Sequence, residues 1–472
     1  IMMHKAIAYQ RYIRELIREK CPEKADLPRP IRLAVIELGT YDGVISNAKQ
    51  IVEKIGKLCD YILFDSAWVG YEQFIPMMKD CSPLLVELGP EDPGIIVTQS
   101  VHKQQAGFSQ TSQIHKKDNH INGQDRYVTH KRFNNAYMMH SSTSPFYPLF
   151  ASLDVNAKIH EGEAGKKLWN LCVKLGIDAR KMILKNCKYF KPLVPPIVNG
   201  KKWEEGDTEE MANDINYFVL EAGEKWHGFA GYGKNQYFID PCKLNILTSG
   251  INIEKGEYED FGIPAVIVTH YLRENMIVPE KCDLNDILFL FTPAESFAKI
   301  ENLVNKLCDF EELLDKGVKV EKMLPDLVQR YEIYKKFTIK QLCQKIHDFY
   351  KNKNLSELQK KMFLKENFPE YVLNPQIANY EFIRGKGELV PLKEIKGRIA
   401  LEGALPYPPG IICVQPGERW NDITQQYFLC LEDIINEFPG FEPEIQGVYL
   451  EKEDGKKVAY GIVLKKEFEP EI

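Results

Sequence analysis

Two residues in the first part of the sequence could carry out covalent chemistry together. Lys103 ends the run Ser100-Val101-His102-Lys103, just after an apolar stretch, and Asp65 ends the apolar stretch before that one. A lysine amine that is partly shielded from water can attack an aldehyde carbon as the free base. A carboxylate can keep a ring nitrogen protonated through a charge-paired hydrogen bond. These two residue types are what an aldehyde cofactor with a cationic ring requires.

Nearby hydroxyls could hold a phosphate group on such a cofactor. Ser100 lies three residues before Lys103. Ser144-Pro145 predicts the start of a helix, with Ser144 as the N-cap, and a helix N-terminus favours an anion. Taken alone, each candidate has a simpler role. A lysine after a strand is usually solvated, and an aspartate at a strand end often forms a turn. His102 could be a core histidine, and Ser144 could be only a helix cap.

The elements that must position Lys103 and Asp65 alternate along the chain. Apolar runs predict three buried strands, over Ile31–Glu37, Tyr61–Asp65 and Gly94–Thr98. A helical stripe of apolar residues over 48–55 separates the first two strands, and a glycine closes it. Strands that alternate with helices favour a parallel sheet, and ligands bind at the carboxyl ends of such strands. Both chemical candidates fall at those ends.

The rest of the sequence predicts further α/β structure. Helices are expected over about 6–19, 144–160, 163–186, 296–309, 338–350 and 355–364. Strand-like runs recur at Tyr217–Leu220, Ala265–Thr269 and Ile287–Phe291, and Asp454-Gly455 predicts the turn of a hairpin. We expect three domains, over residues 1–190, 191–315 and 316–472.

The composition excludes several classes of function. The 472 residues carry a net charge of −6, which argues against a polyanionic partner because phosphate backbones are bound by clustered basic residues. No apolar run approaches the roughly 20 residues of a membrane span. Eleven cysteines without a C-x-x-C pair are typical of reduced thiols. We expect a cytoplasmic protein with no nucleic-acid or membrane partner, and the charge permits a small cationic substrate.

Longer stretches of the sequence resemble a known enzyme family. The resemblance lies in Phe64–Phe74, Thr98–Ser112, His140–Tyr147, Asp240–Leu244 and Glu402–Gly410. These stretches, in this order along the chain, resemble stretches of the bacterial ornithine, lysine and arginine decarboxylases, which use pyridoxal 5'-phosphate (PLP). The sequences around Lys103 and over His270–Asn275 resemble the ornithine members most. The family implies a PLP-dependent transferase-like (fold type I) parallel-sheet domain, a smaller α/β domain and a C-terminal α+β decarboxylase domain.

The resemblance implies a role for each residue near Lys103. Lys103 would carry the cofactor, and Asp65 would pair with the pyridinium nitrogen. Ala67 would pack on the ring, and Ser100 and His102 would hold the phosphate. Lys103 or His102 would return the proton to the substrate. No metal is implied.

Two residues farther along the chain are assigned by the resemblance alone. Ser144 would reach the phosphate from the other subunit of a homodimer, or of a higher oligomer, so that the active site would be shared. Glu280 would bind the distal ammonium of the substrate. The implied reaction is decarboxylation of L-ornithine to putrescine and carbon dioxide, in polyamine biosynthesis.

Alternatives remain at this point. The same chemistry could act on lysine or arginine, or the chain could be a truncated, non-catalytic dimerisation partner. A PLP aminotransferase is a weaker alternative, because the Ser-x-His-Lys sequence is typical of decarboxylases. The resemblance implies an N-terminal wing domain and first strands of the cofactor domain, including a histidine that stacks on the cofactor, and we expect this sequence to begin after them. We therefore expect residues 1–472 alone to bind pyridoxal phosphate poorly.

Overall fold

The structure is a computed structural model that describes residues 2–407 and 410–470, so Pro408 and Pro409 of the C-terminal motif lie outside it. The helices are Met2–Lys20, Ala48–Ile55, Val101–Gln104, His130–Met138, Tyr147–Ile159, Glu163–Asn186, Thr208–Met211, Ala265–Glu274, Phe297–Asp315, Val320–Met323, Pro325–Arg330, Ile339–Lys353, Leu355–Met362, Pro375–Ile383 and Asp422–Glu437. The strands are Ile31–Glu37, Val44–Ser46, Cys59–Asp65, Gly94–Gln99, Gln113–Lys117, Phe190–Pro192, Ile197–Val198, Lys201–Lys202, Tyr237–Ile239, Lys243–Thr248, Ile251–Asn252, Glu257–Tyr258, Lys281–Cys282, Asp286–Leu290, Glu370–Tyr371, Gly387–Pro391, Leu405–Tyr407, Glu418–Arg419, Glu444–Gln446, Val448–Glu453 and Lys456–Leu464. Within these residues no helix is both long enough and apolar enough to cross a membrane.

The chain separates into two compact units, each assembled from separate stretches of sequence. The first unit contains the chain up to Asn186, together with Pro192–Asn245 and Phe289–Val304. The second contains Cys187–Lys191, Ile246–Leu288 and the chain from Asn305 onward. The three consecutive domains expected from the sequence stay a prediction.

A four-stranded sheet forms the centre of the first unit. Its strand order is Ile31–Glu37, Cys59–Asp65, Gly94–Gln99 and Gln113–Lys117. The first three strands are parallel and the last is antiparallel, so the sheet is mixed rather than wholly parallel. Most positions of the two central strands are buried, Phe64 and Val97 among them, and the others before Asp65 are half-buried, as expected for strands covered on both faces. The carboxyl ends of the parallel strands therefore meet at one edge.

The second unit contains an antiparallel hairpin, as its turn residues predict. Strands Val448–Glu453 and Lys456–Leu464 pair on either side of Asp454 and Gly455, which both have positive φ, 46° and 85°. This conformation is the one that Asp-Gly favours in a two-residue hairpin loop. Gly387–Pro391 adds a third strand, and Asp422–Glu437 packs beside the sheet.

Two of the predicted strands are wrong. Ala265–Thr269 begins the helix Ala265–Glu274, in which six residues are buried, and a short apolar run buried on most sides has no period that separates helix from strand. Tyr217–Leu220 overlaps a 3₁₀ turn, Ile215–Phe218, which starts where the side chain of Asp214 accepts a hydrogen bond from the backbone N–H of Asn216. Local side-chain capping decides this segment rather than its apolar content.

Candidate active site

Lys103 lies in a short helical turn at the carboxyl edge of the first sheet. The strand Gly94–Gln99 is followed by Ser100, the N-cap residue of the turn Val101–Gln104. The half-buried Lys103 places Nζ 3.7 Å from the centroid of the Trp68 ring. An ammonium over an indole face is attracted by the ring quadrupole. The amine therefore has a defined position at this edge.

Asp65 lies at the same edge, at the end of the neighbouring parallel strand. Its Oδ1 accepts hydrogen bonds from the backbone N–H of Ala67 at 3.0 Å and from Thr98 Oγ1 at 3.5 Å. Within the described residues, no hydrogen bond reaches its Oδ2. Glu37 is its register partner on the next strand, and partial desolvation together with the Asp65 carboxylate raises the pKa of Glu37. Two carboxyl groups thus end adjacent strands.

Ser100 and His102 flank the turn that carries Lys103. The Ser100 side chain makes no capping hydrogen bond, although this residue stands at the N-cap position. His102 Nδ1 lies 2.8 Å from the carbonyl oxygen of Thr111, which fixes the ring. A protonated Nδ1 that donates to this carbonyl leaves Nε2 as the acceptor of the neutral ring. The hydroxyl and Nε2 are therefore available to a ligand.

A buried polar network supports the turn from behind. Tyr71 OH lies 2.5 Å from Asp240 Oδ2 and 3.2 Å from Gln104 Oε1, and its ring stacks on Trp169 with centroids 4.3 Å apart. Gln104 follows Lys103, so the network fixes one side of the turn. Arg180 is buried and donates to the backbone carbonyls of Gly176, Asp240, Pro241 and Lys243. Together these groups hold the 240–243 segment as a rigid support.

Comparison with known proteins connects this arrangement to a family. A family model described as "Orn/Lys/Arg decarboxylase, major domain" matches residues 2–299, and one described as "Orn/Lys/Arg decarboxylase, C-terminal domain" matches residues 356–465. The chain belongs to the Orn/Lys/Arg decarboxylase family. The resemblance deduced from the sequence motifs is confirmed.

Relatives in the decarboxylase family cover most of this chain. It is 62% identical to an ornithine decarboxylase of Haemophilus influenzae over 96% of its length, and 60% identical to the constitutive ornithine decarboxylase of Escherichia coli over 97%. Its fold is similar to that of lysine decarboxylase A from Pseudomonas aeruginosa, with a TM-score of 0.84 and 29% identity over 93% of this chain and 58% of that one. The chain spans 63% and 64% of the lengths of the two ornithine decarboxylases.

The decarboxylase-family fold brings together five of the predicted site residues. Lys103, Asp65, Ala67, Ser100 and His102 all lie at the carboxyl edge of the first sheet. Their roles toward a cofactor stay predictions.

Ser144 and Glu280 are not among the residues that form this sheet edge. Ser144 is exposed and is not an N-cap: the helix begins at Tyr147, with Phe146 as its N-cap and Pro148 in its first turn. The proline in the first turn of this helix is therefore Pro148 rather than Pro145. Glu280 belongs to the second unit, where it lines a cavity of about 530 Å³ together with His270, Arg273, Asp283 and Glu442.

Sequence reasoning assigned no role to two residues that shape the site. Trp68 and Lys243 lie within motifs that resemble the family. Both belong to the surroundings of Lys103, because Lys103 Nζ lies 3.7 Å and Lys243 Nζ 5.5 Å from the centroid of the Trp68 ring. A signal was present in the sequence. Lys243 opens the apolar run Lys243–Thr248, where a solvated lysine is unexpected.

Proposed function

We propose that this chain carries the active site of a pyridoxal-phosphate-dependent decarboxylase that converts L-ornithine to putrescine and carbon dioxide. The observation that carries the proposal is the Lys103 amine against the Trp68 ring, at the same sheet edge as the Asp65 carboxylate. A lysine amine and a carboxylate at the ends of neighbouring parallel strands are the two groups that bind an aldehyde and a cationic ring nitrogen.

The residues present fit the cofactor. Lys103 would bind its aldehyde carbon, Asp65 would pair with the ring nitrogen through Oδ2, and Ala67 would lie against the ring. Ser100, whose hydroxyl is not used by its helix, and His102 would hold the phosphate. When bound, pyridoxal phosphate supplies a conjugated cation that takes up the electron pair left by departing carbon dioxide.

The chain's own residues orient the reaction and move the proton. Trp68 limits the positions of the Lys103 amine, since Nζ contacts its face. The Thr111 carbonyl fixes the His102 ring, so that Nε2 can exchange protons with the site. Lys103 or His102 then delivers a proton to the substrate α carbon in place of the lost carboxylate. Glu280 would bind the distal ammonium of the substrate through a charge-assisted hydrogen bond.

Sequence identity supports ornithine as the proposed substrate, because this chain is much more similar to the ornithine members of the family than to the lysine or arginine members. The chain is 59–62% identical to four ornithine decarboxylases but only 33% identical to the lysine decarboxylase of Hafnia alvei and the biodegradative arginine decarboxylase of Escherichia coli. Pockets that differ by one methylene discriminate by only about 1–3 kcal/mol, so turnover must be compared directly.

A second copy of the chain would complete the site. The segment 137–159 exposes most of its large apolar side chains, among them Met139, Phe146, Tyr147 and Phe150, and Ser144 lies within it. An apolar surface of this extent marks an interaction site. We assign it to an isologous homodimer, in which the Ser144 hydroxyl of each copy would reach the phosphate bound by the other.

Carbon dioxide release from ornithine, lysine and arginine tests the proposed function. The purified chain, and a longer polypeptide that contains it, are supplied with pyridoxal phosphate and each amino acid in turn. We expect the highest kcat/KM with ornithine in at least one of the two polypeptides. A preference for lysine or arginine would overturn the substrate assignment, and no release with any of the three would overturn the reaction.

A further inference from the structure

Two lysines, rather than one, flank the Trp68 ring. Lys103 Nζ lies 3.7 Å from the ring centroid and Lys243 Nζ lies 5.5 Å from it. The two nitrogens therefore cannot be farther apart than the sum of these distances. Two ammonium groups at such a separation repel each other unless one of them loses its proton.

Lys243 cannot relieve this repulsion by moving into water. Its side chain is only 1% exposed, and Nζ donates to the carbonyl oxygen of Thr40 at 2.9 Å. Gly43 closes over it: a Cβ built on this glycine would lie 3.0 Å from Lys243 Cβ, and its φ is +87°. Arg180 also fixes the segment, because its guanidinium donates to the backbone carbonyls of Asp240, Pro241 and Lys243.

Charged groups act on Lys243 from its own segment, at Asp240, and from other parts of the chain, at Asp42, Glu37 and Lys103. Burial lowers the pKa of Lys243 to about 8, and the positive charge of Lys103 lowers this pKa as well. The carboxylates of Asp240, Asp42 and Glu37 act in the opposite direction and raise it. Lys243 therefore remains mostly protonated at neutral pH. Electrostatic coupling is reciprocal, so the Lys243 charge acts on Lys103 as strongly as the Lys103 charge acts on it.

We propose that Lys243 is a positioning residue whose buried ammonium, held beside Trp68, keeps a larger fraction of Lys103 as the free amine. The inference rests on the proposed function, in which the Lys103 nitrogen must lose its proton before its lone pair attacks an aldehyde carbon and water leaves. A neighbouring cation is a general way to activate a lysine nucleophile. Lys243 itself touches neither cofactor nor substrate in this role.

Competitive acetylation of the full chain with acetic anhydride, read by peptide mass spectrometry, tests the proposal without cofactor or substrate. Lys243→Met should move the midpoint pH of Lys103 labelling upward by about one unit, the shift expected for two unit charges at this separation in an effective dielectric constant of about 20. Lys243→Arg should leave the midpoint near that of the wild type. The matched control is Lys117→Met, since Lys117 Nζ also donates to backbone carbonyls, those of Leu84 and Val86.

Equal Lys103 midpoints in the wild type and in Lys243→Met, with both proteins folded by circular dichroism, would overturn the proposal. If Lys243→Met fails to fold, Lys243→Gln keeps a donor for Thr40 and removes the charge, and the same upward shift is required of it. A shifted midpoint in a chain whose Lys103 forms no borohydride-stable bond to pyridoxal phosphate would support the coupling of the two lysines and overturn the proposed function. The two failures are therefore distinguishable.

Discussion

Lys103 is the residue on which the proposed chemistry depends, and its loss should be visible without substrate. Lys103→Ala should abolish the borohydride-stable attachment of pyridoxal phosphate at this position, because the attacking amine is gone. Peptide mass spectrometry must locate any remaining attachment, since Lys243 Nζ approaches the same ring. Attachment that persists at the level of the wild type on a residue other than Lys243 would remove Lys103 from the reaction.

Asp65 should affect the rate more than cofactor binding. Asp65→Asn keeps the size and an acceptor but loses the charge that would hold the proton on the ring nitrogen. A hydrogen bond to a charged group contributes roughly 1.5–3 kcal/mol, so kcat should fall by about 10- to 100-fold while pyridoxal phosphate stays bound. Steady-state kinetics and the cofactor absorbance check both parts. Unchanged turnover would exclude Asp65 from the site.

Glu280 should act on the substrate alone. Glu280→Gln should raise the KM for ornithine, because truncating one partner of a buried charge pair costs roughly 2–5 kcal/mol, and should leave cofactor affinity unchanged. Glu444→Gln is a matched control in the same cavity, since Glu444 is exposed and Glu280 is half-buried. Equal KM values for the wild type and Glu280→Gln would place the ammonium site elsewhere.

At the scale of elements, the loop that carries Trp68 should make stability depend on pH. Glu72 is fully buried, and burial raises its pKa to about 7, although the backbone N–H of Gly70 donates to it. The folded state therefore favours the protonated acid. This contribution is fully present below about pH 4.5 and is lost as the pH rises through about 7.

Removing this carboxyl group should therefore flatten the pH profile. Between about pH 5 and 8, the free energy of unfolding of Glu72→Gln should change by about 2 kcal/mol less than that of the wild type. Chemical denaturation at both pH values measures the difference. Glu53→Gln, at an exposed position, is the control and should behave like the wild type. Parallel profiles for the wild type and Glu72→Gln would show that the buried group does not titrate.

Elements with a clear apolar pattern or a characteristic turn sequence were predictable from the sequence. Helices that are buried on most sides, or that have more than one possible N-terminal start, were not. Ile31–Glu37 and the Asp454-Gly455 hairpin follow from apolar runs and turn chemistry that act locally. The helix Ala265–Glu274 was not predicted, because most of its residues are buried and its sequence therefore shows no polar face at helical spacing. The helix after Ser144 starts three residues later than its best local cap, because Pro148 offers a second start. Burial in the folded protein and competition between local start signals therefore decide the type and the bounds of these elements.

The site was predictable only in part, for a related reason. Strand ends identify Lys103 and Asp65 as neighbours, since parallel strands share an edge. Resemblance to the family supplied the roles. Neither could indicate that Lys243, far along the chain, lies beside Trp68, because that contact depends on the docking of the loop at Thr40 onto the segment at Asp240.

At the scale of the whole molecule, the exposed segment 137–159 should control association. Phe150→Glu together with Tyr147→Glu should convert a dimer into a monomer, because charge on an apolar interface is costly to bury. Sedimentation velocity gives the mass of each species. Tyr371→Glu replaces an exposed aromatic residue of the second unit and should leave the mass unchanged. A wild-type chain that sediments as a monomer at all concentrations would contradict the dimer.

The position of Trp68 close to two lysines also gives the site an optical signal. Of the five tryptophans, Trp169, Trp203 and Trp420 are at most 2% exposed, whereas Trp68 and Trp226 are half-buried, and Trp68 is the one in contact with Lys103. Indole emission overlaps the absorbance of pyridoxal phosphate, so a cofactor bound at Lys103 would quench Trp68 by energy transfer. Loss of tryptophan fluorescence on titration with the cofactor, smaller in Trp68→Phe than in the wild type, would thus report occupancy of the site in real time and without chemical labelling.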